Sequence, residues 1–242
     1  QALETAGDRR VDARAAAEAR FLAGLCQAAS GETTAAIGTF SRLLEVSPDF
    51  PAADRVLLEL GLARSQAGDA AGAESTFEDL LKRFPRSPRK ADAWLERGEM
   101  RFAAGDWSGA ADAYRHVLNA TDATPARPRL CEQARHKLAW VSAMQQDHAG
   151  AARAFEEQLA HHPEGLCAAD GRAMLGDALV RLGRLAEAES VLAEALATPE
   201  ALSSPDLLGV ATVRAAECAA KEERWEESFA LVDRWLAALA TR

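Results

Sequence analysis

Two cysteines and three histidines are the first residues to weigh for chemistry. Cys131 and His136 open one helical stretch, His161 and His162 close the next, and Cys167 opens the one after. If those stretches run antiparallel, the five side chains reach one edge, where Cys and His bind zinc or two thiols join as a disulfide. The spacing argues against both. It matches no Cys/His ligand pattern, and no two of Cys26, Cys131, Cys167 and Cys218 form a CxxC pair. Packed helix axes lie about 8–10 Å apart, which is long for a disulfide. No metal and no cofactor is expected. Cys26 and Cys218 lie in apolar helical stretches and read as small buried hydrophobes. GxSxG, HExxH and Walker A patterns are missing. Asp147-His148 and His161-His162 stand at turns or helix ends with no nucleophile beside them. The chain is expected not to be an enzyme.

A second group is basic. Lys82, Arg83, Arg86, Arg89 and Lys90 crowd one connection, and Arg127 and Arg129 stand in the next of its kind. Together they form a candidate basic edge for an acidic or phosphate-bearing partner, although a charge run more often marks a solvated loop. The whole chain is acidic: 28 Lys and Arg against 37 Asp and Glu over 242 residues, a net charge of −9. That opposes a general nucleic-acid or anionic-membrane binder. With 48% hydrophobic and 27% charged residues the chain is not disordered, and no apolar run reaches the roughly 20 residues of a membrane span. It begins at Gln1 rather than Met, which reads as a processed or cut chain with no signal peptide in view.

The elements that must carry these residues repeat. Alanine supplies roughly a quarter of the chain, which suits close-packed helices. A small residue, a polar turn, an Ala and then a large residue recur: Gly24, Gly31, Ala36, Phe40; Gly61, Gly68, Ala73, Phe77; Gly98, Gly105, Ala110, Tyr114; Ala139, Ala151, Phe155; Gly176, Gly183, Ala188, Leu192; and, degraded, Ala216, Ser228, Val232. The large residues fall at 40, 77, 114, 155, 192 and 232, in steps of 37, 37, 41, 37 and 40. The small residue lets the first helix of a pair approach its neighbour, and the large one fills the space beside the Ala. The turn glycine supplies φ > 0, and Pro48, Pro85 and Pro163 stop second helices. First helices are expected near 9–30, 53–67, 88–104, 128–146, 167–182 and 205–222. Second helices are expected near 32–46, 70–83, 107–120, 148–161, 185–197 and 225–240. Strand signals are absent. Residues 121–130 and 198–205 are expected as surface loops that absorb the two longer steps.

This pattern resembles the tetratricopeptide repeat (TPR) family, with its Trp…Leu-Gly…Tyr…Ala…Phe…Pro unit. The match runs from about Ala17 to Leu239. The resemblance implies an all-α, right-handed α-solenoid of about six TPR-like antiparallel helix pairs. These form one domain over 1–242, with repeats near 17–50, 54–87, 91–124, 132–165, 169–202 and 209–242. The period exceeds the family's 34 by about three residues, so each pair is expected to be lengthened by about one helical turn. Phrases such as "FPRSPRKADAW" and "GDWSGAADAY" look like a long-period subset in bacterial envelope proteins, which favours a bacterial periplasm or envelope over cytoplasm.

The resemblance also implies where partners bind, in a concave groove lined by first helices. Its positions carry over to Phe21 and Leu25; Leu58, Leu62 and Gln66; Leu95, Glu99 and Phe102; His136, Trp140 and Met144; Asp177, Val180 and Arg181; and Val213, Glu217 and Lys221. The early half is apolar and suits a peptide or an amphipathic helix. The later half is mixed with acids. Trp140 stands where packing has no obvious demand for it. The expected role is a non-catalytic protein–protein interaction scaffold. The rivals are an assembly subunit acting through its terminal helix and loop edge, and a helical accessory domain of a larger protein. In the last helix Trp225, Phe229, Val232, Leu236 and Leu239 form one apolar stripe, and Leu231 and Trp235 add a second. A solenoid end needs a polar outer face, so residues 225–240 are expected to pack on something further, either a missing C-terminal segment or a second copy of the chain.

Overall fold

In the computed structural model the described residues are 2–122 and 127–240, and they form twelve α-helices and no strand. Side chains are described for 12–120, 127–237 and 239. The chain divides into two compact units, Gln1–Ala104 and Gly105–Arg242. Unit 1 holds α1 (Ala2–Ala29), α2 (Thr33–Val46), α3 (Ala53–Gln66), α4 (Ala70–Arg83) and α5 (Lys90–Ala103). Unit 2 holds α6 (Trp107–Asp122), α7 (Pro128–Met144), α8 (His148–His161), α9 (Ala168–Arg181), α10 (Leu185–Ala197), α11 (Pro205–Lys221) and α12 (Trp225–Ala240), with a 3-10 turn at Pro199–Ala201.

Within each unit consecutive helices pack on one another, and the repeated positions are buried. Phe40, Phe77, Tyr114, Phe155 and Leu192 are fully buried, as are the alanines one turn before them, Ala36, Ala73, Ala110, Ala151 and Ala188. Sixteen residues ahead of three of these large side chains stand Gly24, Gly61 and Gly176, whose backbones lie against Phe40, Phe77 and Leu192. The turn inside each pair needs a left-handed residue to close the first helix. Gly31, Gly68, Gly105 and Gly183 supply it, while Gln146 and Glu223 take the same position at φ 60° with side chains attached. Asp69 and Asp147 then cap α4 and α8 by accepting from the N–H of Gly72 and Gly150, at 2.9 and 2.8 Å.

Three acids recur as fasteners. Each sits in the first turns of a first helix and accepts from the connection that leads to the next first helix. Asp54 accepts from the Ser87 hydroxyl at 2.5 Å, Glu132 from the Cys167 N–H at 2.6 Å, and Asp170 from the Ser203 N–H at 2.8 Å. Connections that would otherwise swing freely are thereby registered against the stack.

The long period has a different origin from the one expected. Helices α2, α3, α4, α5, α8 and α9 are each 14 residues, with no added turn. The extra residues lie in six-residue connections such as 47–52 and 84–89, where Pro48, Pro51, Pro85 and Pro88 forbid helix continuation. The two longer steps also resolve differently. First helices α7 and α11 are 17 residues and gain their extra turn at the N-terminus, where Pro128 and Pro205 stand at the first position. The stretch expected as loop 121–130 is helical at 121–122 and from Pro128, and residues 123–126 lie outside the described ones. The 198–205 connection is no simple surface loop, since Leu202 is buried. Helix α1 begins at Ala2, well before the expected residue 9.

Candidate partner-binding faces

In unit 1 the first helices α1, α3 and α5 are neighbours. Phe21 and Leu58 on this face are buried, at 8% and 7% exposure, and belong to core clusters rather than to an open surface. Leu25, Leu62, Leu95, Glu99 and Phe102 are half-buried, and Gln66 is exposed. Leu25 and Leu62 each lie with one side on the core. Behind them Glu74 of α4 accepts from Arg97 and Arg101 of α5, at 2.5 and 2.8 Å. Burial pushes the Glu74 carboxyl up, but the two guanidinium hydrogen bonds and charges outweigh it and hold the group below its usual range. The Arg97 guanidinium also lies 4.6 Å from the centre of the Trp94 ring.

The corresponding face of unit 2 is charged. Asp177 of α9 accepts from Arg181 at 2.8 Å and from Arg214 of α11 at 2.5 Å. Arg214 continues to Glu217 at 2.7 Å, and Glu217 to Lys221 at 3.0 Å. Val180 is buried at 3% exposure, while Met144, Arg181 and Val213 are exposed.

His136 is buried, whereas Trp140 is half-buried with one side on the core. The His136 ring is buried and meets Phe155 edge-on at 6.0 Å and Trp140 at 6.2 Å; Trp140 also packs edge-on against Phe155 at 6.5 Å. Trp140 Nε1–H donates to His136 Nε2 at 2.9 Å. On the other side of the imidazole, Nδ1 lies 3.0 Å from Gln158 Oε1, and Gln158 Nε2 donates to the Cys167 carbonyl at 3.0 Å. With Gln158 oriented by that carbonyl, His136 must be the neutral tautomer protonated at Nδ1. Burial pushes its pKa down, more than Gln158 and the charge of Asp170 restore it. Trp140 thus packs against His136 and Phe155 while keeping part of its ring exposed. Gln158 and Glu132, both buried, are the residues that sequence reasoning missed. The signal for Gln158 was present: Leu43, Leu80, Val117 and Ala195 hold the matching place, three after the large residue, in four other repeats.

All four cysteines are free thiols. Burial, then the charges of Glu132 and Asp170, push the Cys167 thiol up to about 11, which opposes thiolate chemistry. Cys218 is buried as expected, but Cys26 is exposed. Among the described residues no three of His, Cys, Asp and Glu converge to hold a metal ion. No described helix is long and apolar enough to cross a membrane.

The basic residues divide between the units. Lys82 and Arg83 pair with Glu78 and Asp79 one turn back in α4, at 2.8 and 2.9 Å. Arg86 is exposed, and Arg89 and Lys90 are half-buried. Arg127 is half-buried and Arg129 exposed at the start of α7.

In α12 the strip holding Trp235 turns inward: Trp235 covers Gly209 of α11, where a Cβ would come within 2.8 Å of the indole. With Leu231 it lines a cleft shared with Leu208 and Thr212. The other stripe faces out, with Phe229 at 69%, Trp225 at 56%, Leu236 at 51% and Leu239 at 42% exposure.

The fold is all-α, built of antiparallel helix pairs. One tetratricopeptide repeat model matches residues 1–53 and 58–128, and a second matches 143–200. The chain belongs to the tetratricopeptide repeat family. No protein of curated function matches it in sequence. Among solved structures it is similar to BtubC (BKLC) from P. vanneervenii, with a TM-score of 0.69, 18% identity, and coverage of 87% of this chain and 89% of that one. It is also similar to pilF of Pseudomonas aeruginosa, with a TM-score of 0.65, 18% identity and coverage of 92% and 90%. For MamA the TM-score is 0.61 at 21% identity, covering 73% of this chain and 94% of that one. At these identities the likeness is one of fold. Family membership makes the chain a protein–protein interaction scaffold in the general sense.

Proposed function

We propose that the scaffold is non-catalytic and takes an apolar peptide or the apolar face of a partner's helix along α1, α3 and α5 of unit 1. The observation that carries this is the recurrence of half-buried leucines on three neighbouring first helices: Leu25, Leu62 and Leu95. A fully buried leucine belongs to the core. A half-buried one keeps a side open while its position is fixed, which is how a preformed apolar site is built. The matching face of unit 2 is spent on the Arg181–Asp177–Arg214–Glu217–Lys221 ladder, where an apolar ligand would displace paired charges. A net charge of −9 favours protein over nucleic acid as the ligand.

The test is affinity capture from the native source with the wild-type chain and with Leu62→Gln, after both show the same unfolding midpoint. A protein captured by the wild type and lost from Leu62→Gln supports the reading. An unchanged set of partners contradicts it.

A further inference from the structure

We propose that the outward face of α12 is a self-association surface, through which two copies of this chain pair by antiparallel packing of their last helices. Earlier pairs show what this face is for. Leu236 stands four residues after Val232, and the residues at that place in α2, α4, α8 and α10 are Leu44, Leu81, Leu159 and Leu196. All four are partly covered and packed on core clusters. Leu44 bridges from its own pair to the cluster holding Leu57 and Leu58 of α3. The repeat thus uses this face to receive another helix, and on α12 it carries a larger apolar load. Phe229 occupies the place held by Ile37, Glu74, Ala152 and Glu189 in those helices.

The occupant is argued from spacing and area. The stripe Trp225, Phe229, Val232, Leu236, Leu239 advances by four, three, four and three residues, the spacing of a helix–helix seam. It is nearly symmetric about Val232. A two-fold axis there sets Trp225 against Leu239 of the second copy, Phe229 against Leu236, and Val232 against itself. Trp225 and Phe229 thus each meet a smaller leucine, and the two copies of Val232 meet at the axis. At the printed exposures the stripe offers on the order of 450 Å² per copy. Fully covered in two copies it removes at most about 900–1,000 Å², below the ~1,200 Å² of stable interfaces, which makes the pair a weak one. Asp233 and Glu226 border the stripe and are exposed, and the axis brings the two Asp233 side chains close. Exposed like charges of this kind are screened by salt and weaken the pair only modestly.

Sedimentation equilibrium of the full chain up to ~100 µM decides the matter. A monomer–dimer equilibrium is expected. The pair Phe229→Glu, Leu236→Glu, both at exposed positions, abolishes it with the unfolding midpoint unchanged. Asp233→Asn tightens the dimer by about two- to five-fold and reduces its salt dependence. A monomer at every concentration overturns the proposal and leaves the stripe to another helix, of a partner protein or of a longer form of this chain. A dimer indifferent to the glutamates overturns it too. Partner capture that depends on Leu62 is unaffected by the α12 variants, so the two readings fail separately.

Discussion

The backbone of Gly61 lies against the ring of Phe77, sixteen residues on, so closely that a Cβ would come within 2.7 Å of the ring's Cζ. Phe77 is fully buried and cannot withdraw without opening the core of unit 1. Gly61→Ala is therefore expected to destabilise the chain by about 1–3 kcal/mol through overpacking, against a gain of at most ~1 kcal/mol in helix propensity. Gly38→Ala is the control. It lies in α2, is exposed and has nothing within 4 Å of a new Cβ, so it stabilises by about 0.5–1 kcal/mol. Chemical denaturation of both variants gives the comparison.

Gln146 holds a left-handed conformation, φ 60°, at the place where four other turns have glycine. Gln146→Gly is expected to raise stability by about 1 kcal/mol, because the Cβ strain of that conformation exceeds the entropy cost of one glycine. A lower unfolding midpoint would show that the side chain contributes something the backbone geometry does not reveal.

The imidazole of His136 is buried as a neutral acceptor for Trp140 Nε1–H. Its pKa in the folded chain lies below the unfolded value of about 6.5, so the unfolded chain takes up the proton first as pH falls. Stability is fully present above that value. It declines below pH ~6.5 by at most ~1.4 kcal/mol per unit, until the folded pKa is passed. The pairing of Glu74 and Glu217, whose carboxyls are held below the usual range, is lost only at lower pH. Glu96, whose carboxyl is raised by burial and by the charges of Glu99 and Asp92, adds a slope of opposite sign. Denaturation at several pH values between about 7.5 and 5.5, compared between the wild type and His136→Gln, gives the imidazole's share as the difference in slope.

Thiol chemistry separates the cysteines. Cys26 is exposed and should react with an aromatic disulfide reagent at once. Cys167, pushed up to about 11, and the buried Cys218, also raised by burial, should react only on unfolding. Fast modification of Cys167 in the folded chain would contradict the burial of its thiol beside Glu132 and Asp170.

Much of this architecture was legible in the sequence. The glycine-to-aromatic interval of sixteen residues reports a packing contact, so it located both helices of most pairs. Burial on the first-helix face was not legible. Phe21 and Leu62 both stand at groove positions, yet one is covered by its neighbours and the other is half open. The periodic pattern reports which positions recur, and cover depends on how closely the next helix approaches. The inward strip of α12 was not legible either: both strips are apolar, and only Gly209 opposite Trp235 shows which one turns inward. The added turns of α7 and α11 were hidden because Pro128 and Pro205 read equally well as loop residues and as first helical residues.

The proposed partner-binding face lies in unit 1. A photo-crosslinking amino acid at position 62, compared with one at position 213 in unit 2, probes it once a captured partner is in hand. Strong partner crosslinks are expected from position 62 and weak or none from position 213. Crosslinks from position 213 alone would contradict it and move the binding site to the charged face of α9 and α11.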